Sequence, residues 1–338
     1  VSANQLEANQ KRPLNDIFIS TFHDKMSFNE FLTLNVSDEF KRIQLNKREV
    51  YAPSSKLKAI HRFINKTIFE YADYNRDVVY SYRKGVSTRD AIEKHSASNY
   101  FFQTDISNFY NNVRLENIYK SLRCQLNNTP VLDIENYIDN IVNLVVVDDQ
   151  LPTGFGTSPL LSNICLFDFD NALLKYCKDN FLIYTRYSDD IIISGSDDGF
   201  EVEIENVVSN YLNHFVNEKI KINRAKTKFH KKGHSFKLLG FSILPNGIVT
   251  IPSSDKKEVE SLIYFYLTDN EKFEDLFKNI SSNNKIENSE GKPIRELAIS
   301  SLSGKLISFN AMDKDYISKL RKKYGNTIID MFIRKAVK

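Results

Sequence analysis

Two adjacent acids, Asp189 and Asp190, stand between the apolar runs Phe181-Leu182-Ile183-Tyr184 and Ile191-Ile192-Ile193. Short apolar runs separated by a polar break read as the arms of a β-hairpin, with Tyr187-Ser188-Asp189-Asp190 at its turn. Carboxylates packed side by side in an apolar hairpin repel each other, and burial penalises each charge further unless a cation is at hand. Mg²⁺ would satisfy them; a solvated acidic turn is the plainer alternative. A third acid, Asp105, ends the β-rich run Tyr100-Phe101-Phe102-Gln103-Thr104, shortly before Asn108-Phe109-Tyr110. An acid in that place also suits a helix N-cap, as do Ser107 and Asn108. Between the acidic sites, Leu151-Pro152-Thr153-Gly154-Phe155-Gly156-Thr157-Ser158-Pro159 is a glycine-bearing loop that enters an apolar helix.

In this order and spacing the three segments resemble the palm of reverse transcriptases. Asp105-x-x-x-Phe109-Tyr110 is similar to the first catalytic motif of that family. Leu151-Pro152-x-Gly154 with Ser158-Pro159 is similar to the second, and Tyr187-Ser188-Asp189-Asp190 to the Tyr-x-Asp-Asp third. Arg48 to Pro53 resembles the Arg-x-Ile-x-x-Pro fingers element, and Gly85 to His95 a stretch of retron and related bacterial enzymes. Asn223 to Lys228 resembles the fourth motif, and Leu238-Leu239-Gly240-Phe241 the start of the primer-grip hairpin. The resemblance runs from about Arg48 to Pro252. It departs from the pattern at Thr153, where the family usually has Gln, and at Asp90, where retron relatives have Asn. It also lacks a Val-Thr-Gly after the fourth motif. These departures point away from an ordinary retron enzyme and toward abortive-infection and other defence-associated bacterial enzymes.

The resemblance implies an α+β right-hand polymerase fold. Residues 1–99 would form fingers with an N-terminal helical region. Residues 100–252 would form a palm whose antiparallel sheet carries the three Asp, with a helical fingers insertion near 115–150. Residues 253–338 would form a helical thumb. The implied activity is RNA-directed DNA synthesis by two-metal nucleotidyl transfer. Asp105 and Asp189, with the Ile106 carbonyl, would hold two Mg²⁺ ions, Mn²⁺ being a substitute. Asp190 would support catalysis and metal binding with its side chain turned away by strand alternation. Tyr110 would lie against the sugar and exclude a ribose 2′-hydroxyl, unless the Phe-Tyr pair is simply core. Thr153 and Gly154 would line the nucleotide pocket, the missing side chains of Gly154 and Gly156 letting backbone approach a base or phosphate. Arg48, with Lys47 beside it, would clamp the triphosphate, and Lys226, or else Lys228, would meet the leaving pyrophosphate. Leu239 and Gly240 would grip the primer. The implied partners are an RNA template, a dedicated noncoding RNA, dNTPs and the DNA product, with a homo-oligomer or an accessory protein in prospect. Untemplated or protein-primed DNA synthesis, and a catalytically idle RNA-binding sensor, stay open as alternatives.

A chain of 338 residues with 41% hydrophobic content can bury a large core, and its net charge of +3 is too mild to identify a nucleic-acid binder by itself. The distribution says more. Lys305, Lys314, Lys319, Arg321, Lys322, Lys323, Arg334, Lys335 and Lys338 crowd the C-terminal segment. Lys319, Arg321, Lys322 and Lys323 are therefore candidate phosphate contacts, a solvated helix face being the alternative. Cys124, Cys165 and Cys177 are odd in number and lack metal-ligand spacing, which suits a reducing cytoplasm. No apolar run approaches membrane-spanning length, so a soluble cytoplasmic protein without membrane contact is expected.

The apolar spacing predicts helices over Leu14 to Leu34, Leu57 to Tyr74, Leu115 to Cys124, Ile134 to Val147, Ser158 to Tyr176 and Phe200 to Phe215. The inner face of the last would include Val202, Ile204, Val207, Val208, Tyr211 and Phe215. Leu238 to Leu244 and Ile248 to Ile251 would pair across Pro245-Asn246-Gly247. Helices Glu258 to Leu267 and Lys272 to Phe277 would precede a loop from Ser281 to Gly291, and Ile294 to Phe309 and Tyr316 to Val337 would complete the thumb. His95 is expected to be structural.

Overall fold

A computed structural model describes residues 11–45, 48–284 and 293–334. Lys47, Lys335, Lys338 and most of the expected loop lie outside the described residues; Ser281 itself belongs to the helix Asn270–Asn284. The chain divides into two compact units between Lys231 and Lys232.

The first unit is built on a four-stranded antiparallel sheet. Its strands are β3 (Tyr100–Asp105), β4 (Ile183–Tyr187), β5 (Asp190–Gly195) and β6 (Lys228–Lys231), in the order β4-β5-β3-β6. Ahead of it in the chain, β1 (Phe40–Leu45) and β2 (Arg48–Pro53) pair as a separate hairpin. Ile191, Ile192 and Ile193 of β5 are all buried, because the sheet is covered on both faces. The main apolar cluster takes Phe102, Ile191 and Ile193 from one face. The opposite face carries Ile192 and Ser194, and by the same alternation Asp190. His95 is fully buried, with Nδ1 2.6 Å from Ser194 Oγ and Nε2 2.7 Å from Thr185 Oγ1. A neutral imidazole bridging two strands in this way is a structural strut, as expected from sequence.

Several expected helices are broken where local chemistry intervenes. The N-terminal run splits into Leu14–Phe22 and Phe28–Thr33, the second capped by the Ser27 side chain accepting from the Glu30 amide. The run from Ser158 splits at Leu166 into Ser158–Cys165 and Phe167–Asp179. The helix expected from Phe200 begins only at Ile204, so Val202 falls in the preceding turn and is 85% exposed rather than on the inner face. Phe181, expected in a hairpin arm, has φ +56° and lies outside β4, 93% exposed.

The second unit opens with three short strands, β7 (Phe236–Leu238), β8 (Phe241–Ile243) and β9 (Val249–Thr250), paired in sequence. The Asn246-Gly247 turn forms as expected, Gly247 having φ +84° and Asn246 Oδ1 accepting from the Ile248 amide. The strand expected over Leu238 to Leu244 is interrupted instead: Leu239 (φ +46°) and Gly240 (φ +84°) form a tight turn between β7 and β8. A glycine at the second position admits that turn, whereas Leu239 holds a left-handed backbone against its side-chain preference. Five helices follow, Ser253–Thr268, Asn270–Asn284, Ile294–Met312, Lys314–Tyr324 and Asn326–Ile333, around a core that includes Val259, Leu302, Leu306, Ile317 and Phe332. Gly325, at φ +95°, divides what the apolar spacing reads as one last helix.

Candidate active site

The register of β3 against β5 sets Asp105 directly opposite Asp190. Directly opposed residues share a face of an antiparallel pair, so Asp190 is not turned away from Asp105. The alternation expected from Asp189 does not apply, because Asp189 belongs to the two-residue turn joining β4 to β5 and not to the strand. The Ile106 amide donates to the Asp189 carbonyl at 3.0 Å, which ties the turn to the end of β3.

Asp105 is buried and closely held. Its Oδ1 accepts from Lys226 Nζ at 2.9 Å, its Oδ2 from Asn223 Nδ2 at 3.3 Å, and its backbone carbonyl from the Asn223 amide at 2.6 Å. Asp189 and Asp190 carry more negative charge than Lys226 offsets. Burial, and after it the Asp105 charge, raises the Asp189 carboxyl above its usual range. Burial, then Asp189 and Asp105, pushes Asp190 up to about 6.

The turn is fixed from beneath by a network that sequence reasoning missed. Arg186, fully buried, donates from Nε to Asp170 Oδ1 at 2.8 Å and from Nη2 to Asp170 Oδ2 at 2.6 Å. Its Nη1 reaches Asn163 Oδ1 at 3.1 Å and the Ser188 carbonyl at 2.9 Å, while Tyr184 donates to Asp170 Oδ1 at 2.7 Å. Ser188 has φ +58°, which a serine adopts only under constraint. A charged pair inside an apolar hairpin carries no periodic signal, and only the unusual Arg186 between Ile183 and Ile191 hinted at it.

A cleft of about 630 Å³ opens over these residues. Arg48, Asp105, Ile106, Tyr110, Thr153, Asp189 and Lys226 line it together with Tyr82, Ser188 and Asn223. Seven sequence-selected residues thus come together. Lys226 is the lysine in the cleft; Lys228 stands in β6 opposite Gln103. Gly154 is not among the lining residues. At φ +108° an added Cβ there would lie 2.3 Å from the Tyr51 carbonyl oxygen, and the Tyr51 amide donates to the Thr153 carbonyl at 2.8 Å. Glycine is needed there because the loop packs against β2, rather than for approach to a ligand. Gly156 has ordinary room, its Cβ position being 3.8 Å from His61 Cβ.

The donor set suits a hard cation in kind: carboxylates and a backbone carbonyl, with a lysine ammonium already resting on Asp105. Among the described residues no three His, Cys, Asp or Glu side chains converge as a complete metal cage. That fits an ion taking water and substrate phosphate as its remaining ligands.

Leu239 and Gly240 lie in the second unit, at the β7–β8 turn. In the same unit Arg321 donates from Nε and Nη2 to Asp330 Oδ1 at 3.0 and 2.9 Å, and Lys323 Nζ lies 2.5 Å from Glu260 Oε2. Lys319 and Lys322 are exposed. The four basic residues are therefore not equivalent.

Residues 31–243 match the family model described as reverse transcriptase (RNA-dependent DNA polymerase). The chain belongs to the reverse transcriptase family. It is accordingly a nucleotidyltransferase, an RNA-directed DNA polymerase of mixed helix and sheet. The retron Ec83 reverse transcriptase of Escherichia coli is 25% identical over 291 residues, covering 83% of this chain and 84% of that protein. The retron Se72 reverse transcriptase of Salmonella heidelberg is 26% identical over 248 residues, covering 70% of this chain and 62% of that protein. Retron enzymes are thus among its relatives despite the departures at Thr153 and Asp90. Among solved structures, the telomerase from Candida albicans with a TWJ fragment of telomeric RNA aligns with a TM-score of 0.45 at 12% identity. That alignment covers 88% of this chain and 63% of the telomerase chain. Apo telomerase from Candida Tropicalis aligns with a TM-score of 0.46 at 13% identity, over 88% of this chain and 61% of that one. No described helix is long and apolar enough to cross a membrane.

Proposed function

We propose that this chain copies an RNA template into DNA at the cleft over Asp105 and Asp189, as the polymerase of a bacterial retron-like antiphage system with a dedicated noncoding RNA. The observation that carries the reading is the meeting of Asp105, Asp189, Lys226, Tyr110 and Arg48 in one cleft from four separate stretches of chain. Asp105 and Asp189, with Asp190 and the Ile106 carbonyl in support, would hold Mg²⁺ ions, which when bound stabilise the attacking and departing oxygens of phosphoryl transfer. Members of this family use divalent metal ions, and burial, with the neighbouring carboxylates after it, raises the carboxyls of Asp189 and Asp190.

Each side chain has a task it can perform from where it stands. The Arg48 guanidinium, on the exposed end of β2, offers a planar fork to phosphate oxygens. Lys226 can leave Asp105 for a departing pyrophosphate, since its side chain is more than half exposed while that of Asp105 is 11% exposed. Tyr110 presents a half-buried ring where a ribose 2′-hydroxyl would collide with it. In this reading β1, β2 and the helices before β3 are the fingers, the four-stranded sheet is the palm, and the helices after Pro252 are the thumb.

Templated copying and untemplated synthesis are separated by offering each dNTP alone on a homopolymeric RNA with a DNA primer. Incorporation confined to the complementary dNTP supports the reading. Equal use of all four, or label that stays on the protein in a denaturing gel, supports untemplated or protein-primed synthesis instead.

A further inference from the structure

The hydroxyl of Tyr82 lies 3.0 Å from the Tyr110 hydroxyl and 2.9 Å from Ser188 Oγ. It joins the proposed sugar-facing ring to the turn that carries Asp189. Tyr82 itself has φ +57°, a left-handed backbone that is unfavourable for a bulky residue and persists only where its surroundings hold it. They do hold it. The Tyr80 amide donates to the Arg186 carbonyl at 3.0 Å, the Arg186 amide donates to the Val78 carbonyl at 2.8 Å, and Asn163 Nδ2 donates to the Ser81 carbonyl at 3.1 Å. The segment before Tyr82 is thus strapped along β4, the strand that leads into the Ser188 turn. Arg186 Nη1 grips the Ser188 carbonyl at 2.9 Å from the same strand.

Tyr82 is 42% exposed, and its hydroxyl reaches out of the strapped segment to both Tyr110 and Ser188. On the other side of the relay, Tyr110 stacks on Phe109 at 5.5 Å between centroids and 24° between planes, with Phe109 buried. Stacking fixes the plane of the Tyr110 ring, and its tip, the atom farthest from the backbone, is met by the Tyr82 hydroxyl as well as by the Ser188 side chain. Burial and the Tyr82 contact both raise the Tyr110 phenol well above its ordinary range, so it stays protonated and able to hydrogen-bond.

We propose that Tyr82 is a positioning residue for sugar selection: by tying the tip of Tyr110 to Ser188, it holds the ring at the depth that excludes a 2′-hydroxyl and registers that depth to the Asp189 turn. This rests on the reading of Tyr110 as the sugar-facing ring. It adds a determinant from a segment outside all the motifs that suggested that reading.

The test is the ratio of kcat/KM for a dNTP to that for the matching rNTP, measured on one RNA template-primer for Tyr82→Phe, Tyr110→Phe, the double variant and Tyr110→Ala. Removing one hydroxyl deletes one hydrogen bond, so Tyr82→Phe should lower the ratio about three- to tenfold. Tyr110→Phe should do the same through its share of the relay, and the double variant should fall no further than the larger single effect, because both remove the same contact. Tyr110→Ala should lower the ratio most. If Tyr110→Ala leaves the ratio unchanged, the sugar-facing reading of Tyr110 fails. If Tyr110→Ala lowers it but Tyr82→Phe does not, or the two Phe effects add in full, the positioning role of Tyr82 is overturned while the sugar gate stands. A change in overall activity with a constant ratio would mark Tyr82 as merely structural and likewise overturn it.

Discussion

Lys226 Nζ sits 2.9 Å from Asp105 Oδ1, joining residues 121 apart in the chain. The lysine lies on the exposed side of the contact, and the acid is buried. A cation that rests on a carboxylate and can swing to a leaving group serves as a proton donor or a charge partner in turn.

Replacing Lys226 by Met should therefore lower kcat for dNTP incorporation about 10²-fold, within the range typical of a lost general acid. Lys228→Met should stay within about twofold of the parent, since Lys228 is not among the residues that line the cleft. Steady-state kinetics on a saturating template-primer would decide it. Equal losses in the two variants would return Lys226 to the role of an ordinary surface charge.

Two buried histidines give the first unit a defined response to acid. Burial lowers His95 to about 3 and His61 to about 4, from an ordinary 6.5. Both folded-state values are depressed, so the folded protein keeps these rings neutral while the unfolded chain takes up protons below pH 6.5. The stability they contribute is complete above that pH and is lost as pH falls toward the folded values. Between pH 7 and pH 5 each should cost roughly 2 kcal/mol. Urea unfolding of the parent and of His95→Gln at both pH values would show a shallower pH dependence in the variant; identical slopes would mean His95 is not buried neutral.

The basic residues of the last helices should separate into two kinds. Lys319→Ser with Lys322→Ser should lower the salt dependence of nucleic-acid binding by up to about two counterions. Arg321→Ser and Lys323→Ser should act mainly on thermal stability, because those charges already meet Asp330 and Glu260. Binding titrations across a salt series distinguish the pairs. Parallel slopes for parent and Lys319/Lys322 variant would assign those lysines to a solvated face.

The parts of the site that could be read in the sequence are those whose chemistry is local. Asp105 ends an apolar strand and Asp189 sits in a turn between two, so each marks itself by breaking a pattern. Asn246-Gly247 likewise announces its own turn. What could not be read depends on contacts between distant stretches. Tyr82 and Arg186 have no periodic signature, and their roles exist only once residues 78–83 lie along β4. Helix breaks at Leu166 and the turn at Leu239 were hidden for a related reason. Both residues are apolar and fit an uninterrupted pattern, and only tertiary packing forces them out of it.

In the proposed reading, Asp189 and Asp105 hold the catalytic metal ions of this RNA-directed DNA polymerase. The most direct measurement is Mg²⁺-dependent dNTP incorporation on an RNA template-primer by the parent and by Asp189→Asn, with thermal unfolding of both recorded in Mg²⁺ and in chelator. The amide keeps the shape of the side chain and removes its charge. The variant should lose incorporation by at least about 10³-fold. It should remain folded, and it should be stabilised by Mg²⁺ less than the parent. Near-parental incorporation by a folded Asp189→Asn protein would contradict the metal-binding role of Asp189 and the site built around it.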